Sequence, residues 1–97
     1  MTAKTTAQAI SAVRSNYAAL RRLATSGGRT AATTNAIGRR RMAIEAAVKS
    51  LPRDLAGDLA FENTLIENIA ASRRNGVERP ELAGRLAACR RRVRASA

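Results

Sequence analysis

Helix-stopping residues divide this chain into four stretches of similar kind, and that division limits the folds open to it. The interruptions are Gly27-Gly28, Leu51-Pro52 and Asn75-Gly76. Glycine accepts the left-handed C-cap conformation, and the residue before proline is pushed out of the α region. Between the stops, apolar residues recur three or four apart, so each stretch presents one apolar helical face. In the first, Ile10, Val13, Tyr17, Leu20 and Ala24 share a face behind Thr2 or Thr5 as N-cap. In the second, Thr30 to Thr34 offer caps, and Ile37, Ile44, Val48 and Leu51 form the stripe. Leu55, Leu59, Ile66 and Ile69 serve the third, and Leu82, Leu86, Cys89 and Val93 the fourth, which opens at Pro80. The expected helices span about 5–26, 32–51, 52–75 and 80–95 of a single domain, 1–97.

Residue preferences agree. Alanine and arginine favour helices, whereas β-branched and aromatic strand formers are scarce. The fold class is therefore all-α, a compact helical bundle of four helices with short connections between antiparallel neighbours. Alanine supplies 22 of the 44 apolar residues. The core is correspondingly thin, because burial stabilises by roughly 1.5–3 kcal/mol only for each large side chain. A partner, or a second copy in a homodimer, would complete it.

The third stretch has two readings. Glu62 falls in the middle of its apolar arc. In a continuous helix it is buried against a cation, and Arg41, which interrupts its own stripe in the same way, is the candidate for a structural ion pair. Alternatively the helix breaks near residue 62, and Thr64 with Glu67 forms a T-x-x-E capping box for a fifth helix. Continuity is the favoured reading.

Catalytic chemistry has little support. The chain has no histidine, so the usual neutral-pH proton shuttle is missing. Cys89 is the single cysteine and lies on an apolar stripe, which suits a buried thiol better than a nucleophile. It also leaves no intramolecular disulfide, in keeping with a reduced, cytoplasmic setting. Asp54, Asp58 and Glu62 lie one turn apart on one face. With so much arginine nearby and no calcium-loop spacing, they read as a salt-bridged or docking stripe rather than a metal site. Gly27-Gly28 lacks the residues of a phosphate-binding loop. No enzyme activity, cofactor or metal is expected.

No apolar run approaches the ~20 residues of a membrane span, and MTAKTTAQAISAV lacks the apolar core of a secretory signal. Its acid-free composition resembles a transit peptide, but the same residues make a capped amphipathic helix, the preferred reading. A membrane-surface role for the fourth helix is disfavoured by a narrow apolar face without Trp or Phe.

Charge carries the functional signal. The net charge is +11, and residues 1–44 contain eight bases and no acid. All seven acids fall within residues 45–81, and residues 82–97 add five arginines. Arg39–Arg41 and Arg90–Arg92 each span almost a full turn, so their side chains fan out and cannot all point inward. A guanidinium stays charged and forms paired hydrogen bonds to phosphate. We therefore expect a small, basic, non-enzymatic binding protein that engages nucleic acid or a nucleoprotein complex. The expected contacts are Arg39, Arg40, Arg90, Arg91, Arg92 and Arg94, supported by Arg21, Arg22 and Arg29. Tyr17 and Phe61, the only aromatics, fall at core positions, which leaves backbone contact rather than base stacking as the mode. A helix-turn-helix drawn around Ser26–Thr30, with Thr33, Thr34 and Asn35 reading bases, has too long a connection. The alternative is an inhibitor or adaptor of the phage or mobile-element kind, docking on an acidic protein surface of a host defence or transcription complex.

Overall fold

A computed structural model of the chain describes residues 5–26, 28 and 30–97. Among these there are four helices, α1 (Thr6–Thr25), α2 (Ala31–Val48), α3 (Arg53–Arg74) and α4 (Pro80–Ser96), and no strand. The fold is all-α, as the residue spacing requires. It comprises two compact units, Met1–Pro52 and Arg53–Ala97. In the first, α1 packs on α2; in the second, α3 packs on α4.

The first unit begins with a reciprocal cap. Gln8 N–H donates to Thr5 Oγ1 at 3.1 Å, and Thr5 N–H donates to Gln8 Oε1 at 2.9 Å. Two backbone donors at the helix start are thereby satisfied. Thr2, the other candidate cap, lies outside the described residues, as does Gly27 of the first glycine stop. Ala9, Ile10, Val13 and Ala19 are buried, while Tyr17 and Leu20 are half-buried and Ala24 is exposed. Small alanines thus take places in the contact that the spacing assigned to larger side chains. Thr30 caps α2 by accepting from Thr33 N–H at 3.1 Å. That helix ends at Val48, three residues before the expected Leu51. The chain tightens there: Ser50 N–H reaches Ala47 O at 3.3 Å and Leu51 N–H reaches Val48 O at 3.0 Å. Leu51 is nonetheless buried with Ile44 and Ala47.

In the second unit α3 is unbroken through Glu62. The residues that could have capped a new helix are otherwise engaged. Thr64 Oγ1 donates back to Ala60 O at 3.2 Å, and Asn63 Nδ2 donates to Glu67 Oε1 at 2.9 Å. A hydroxyl satisfied within the preceding turn does not need to start another helix. Leu55, Leu59 and Leu65 of α3 are buried, as are Leu82, Cys89 and Val93 of α4. Ile69 and Leu86 pack against Leu65, Leu82 and Cys89. The α3 end is a Schellman turn at Gly76, whose φ is +68°. Val77 N–H bonds to Ser72 O at 3.0 Å and Gly76 N–H to Arg73 O at 3.2 Å. Phe61 departs from expectation: it is 42% exposed, because it lies one step beyond the arc of Leu55, Leu59 and Glu62.

Candidate polyanion-binding groove

The two units divide the charge unequally. Each holds nine basic residues, but Glu45 is the only acid before residue 53, whereas six acids follow it. The net charges are +8 and +3. The basic residues of the second unit therefore share it with six carboxylates, and those of the first with one.

In the second unit α4 arginines are drawn to α3 acids. Arg92 Nε donates to Asp58 Oδ1 at 3.3 Å, and Arg90 Nε stands 3.6 Å from Glu62 Oε2. The Glu62 side chain is 5% exposed and that of Arg90 47%. Burying a carboxylate is costly unless a cation or donor meets it, and Arg90 fulfils that need while its own charge remains half in solvent. Arg41, which the sequence offers for this role, belongs to α2 of the first unit. The acidic column is thus answered by arginines at two of its three positions. Cys89 lies beneath, its buried Sγ donating to the Asp58 carbonyl at 3.1 Å. Arg91 and Arg94 are exposed, with no carboxylate partner among the described residues.

The first unit contains a different arrangement. Between α1 and α2 runs an open groove of about 550 Å³, lined by Arg22 and Leu23 from α1, Arg39 and Arg40 from α2, and by Asn16 and Ala19. Among the described residues no carboxylate lines it. Three arginines that the sequence singled out thus meet at one place, although Arg22 and Arg39 are seventeen residues apart. Helix geometry explains the convergence. Arg22 is in the last turn of α1, and α2 packs on α1 so that Arg39 and Arg40 come alongside. Within the groove, Arg40 Nη1 donates to Asn16 Oδ1 at 3.2 Å, and Asn16 Nδ2 donates to Ala12 O at 2.7 Å. Asn16 had no signal in the sequence: its partners are four residues away on its own helix and twenty-four away on the next.

Arg21 is half-buried on α1 and lies outside the groove lining; Arg29 lies outside the described residues. Met42, 70% exposed, lies one turn beyond Arg39 on α2. A second groove of about 620 Å³ follows the α3 end, where Arg73, Val77, Glu78 and Arg79 mix both charges with apolar surface. Beside it the Glu81 carboxyl is held below its ordinary range, first by its backbone N–H and then by Arg79 Nε at 3.1 Å.

Among the described residues no three metal-ligating side chains come together, and no helix is long and apolar enough to cross a membrane. No protein-family model, curated protein or solved structure matches the chain.

Proposed function

We propose that this is a non-enzymatic protein that binds nucleic acid, free or within a nucleoprotein assembly, through the α1–α2 groove. One observation carries the reading: Arg22, Arg39 and Arg40 line a single groove with no carboxylate among its walls. Like charges gathered without internal compensation disfavour the compact state, so the arrangement is best accounted for by an anionic partner. A guanidinium stays charged and forms paired hydrogen bonds to phosphate oxygens, which a phosphodiester backbone presents in a row. No aromatic side chain lines the groove, which favours contact with a duplex backbone over stacking on unpaired bases. Arg91 and Arg94, without a carboxylate partner among the described residues, supply further cations, whereas Arg90 and Arg92 first serve the closure of α4 on α3.

The test is fluorescence anisotropy of the full chain with a labelled duplex of arbitrary sequence across a salt series. The expected result is binding that weakens linearly in a log–log plot and tolerates sequence change. Absence of duplex binding at low salt would overturn the reading. A nuclease-insensitive pull-down of one acidic protein would then favour the adaptor role on a protein surface.

A further inference from the structure

We infer that Asn16 is a positioning residue that presets Arg40 for a phosphodiester oxygen without cancelling its charge. The inference rests on the nucleic-acid reading of the α1–α2 groove and refines it. Asn16 is half-buried, and its amide nitrogen is tied to Ala12 O at 2.7 Å. That bond fixes which way the amide faces and leaves Oδ1 as the acceptor for Arg40 Nη1 at 3.2 Å. A guanidinium carries five N–H donors. One is occupied by Asn16 and the others stay available to a ligand in the groove.

The chemistry of the partner is what gives the arrangement meaning. An arginine held by a carboxylate, as Arg92 is by Asp58, is both oriented and neutralised. An arginine held by a neutral amide is oriented and remains a full positive charge. Holding a long side chain before the ligand arrives reduces the ordering cost of association. The carbonyl of Asn16 therefore adds affinity through Arg40, and an aspartate of nearly the same shape would remove it.

The experiment compares wild type, Arg40→Ala, Asn16→Ala and Asn16→Asp on one labelled duplex across a salt series. Circular dichroism and thermal unfolding of each protein are followed in parallel. Asn16→Ala is expected to lower affinity about two- to tenfold with the salt slope unchanged, since the charge remains but must be ordered on binding. Asn16→Asp is expected to reduce the slope by about 0.9, because one cation is now answered internally. A structural role alone would move the unfolding midpoint and leave both binding quantities at their wild-type values. Wild-type binding in both Asn16 variants, with Arg40→Ala impaired, would sink the positioning role and leave the groove standing. Unchanged binding in Arg40→Ala, or none in wild type, would sink the two together.

Discussion

Replacing Arg22, Arg39 and Arg40 together by alanine separates the two classes of arginine in this protein. All three line the α1–α2 groove and none has a carboxylate partner among the described residues. If each neutralises one phosphate, their loss lowers the slope of log K against log salt by about 2.7, from about 0.9 per phosphate. Between about 50 and about 200 mM salt, a fourfold change, that slope difference alone corresponds to about 40-fold in affinity. The comparison variant, Arg90→Ala with Arg92→Ala, removes two cations from the α4 cluster. Because Glu62 and Asp58 already answer these two, the slope should fall by less than 1 while stability drops. Anisotropy titrations at four salt concentrations, with folding checked by circular dichroism at each, give both quantities. The reasoning is refuted if the triple variant retains the wild-type slope, or if the α4 pair lowers it as much per residue as the groove set.

Three further outcomes follow from local geometry. Gly38, Gly57 and Gly84 lie inside helices, and a Cβ at each meets open space. Changing any one to alanine should therefore stabilise by about 0.5–1 kcal/mol in urea unfolding, whereas Gly76→Ala, at φ +68°, should destabilise by about 1 kcal/mol. Arg90→Ala should cost about 1–2 kcal/mol, below the range for a fully buried pair because Arg90 is half-exposed. Arg91→Ala should change stability by less than about 0.5 kcal/mol. Glu81 has a folded pKa below its ordinary 4.5, so its contribution is present above that value and is lost as pH falls through the lowered one. Thermal unfolding of Glu81→Gln should accordingly lose less stability than wild type over that acidic window.

Much of the fold was legible because the signals were local. Proline and glycine stops, caps and apolar spacing act within a turn or two, and they located all four helices. The T-x-x-E at Thr64 is a valid start signal, but in the structure Thr64 and Glu67 bond to Ala60 and Asn63 within a continuous α3. Leu51 extends the apolar spacing of α2 past the helix end because it is a core residue that is not helical. Phe61 differs for a related reason, since side-chain size favours burial while its angular position on α3 leaves it exposed. Arginine clusters were visible as sequence runs, but not their division of labour. Arg90 and Arg92 find acids on a helix some thirty residues earlier, and Asn16 meets Arg40 across α1 and α2. Such pairings depend on which helices become neighbours, and spacing along one chain segment does not encode that.

On the proposed nucleic-acid reading, the bond between Arg92 and Asp58 would also make adhesion adjustable from outside the groove. An Asp58→Asn change keeps the backbone carbonyl that receives the Cys89 thiol and removes only the carboxylate. It would loosen α4 slightly and release a guanidinium to the surroundings. A lineage carrying this fold could exchange internal cohesion for outward attraction one acid at a time, with the residues lining the groove untouched.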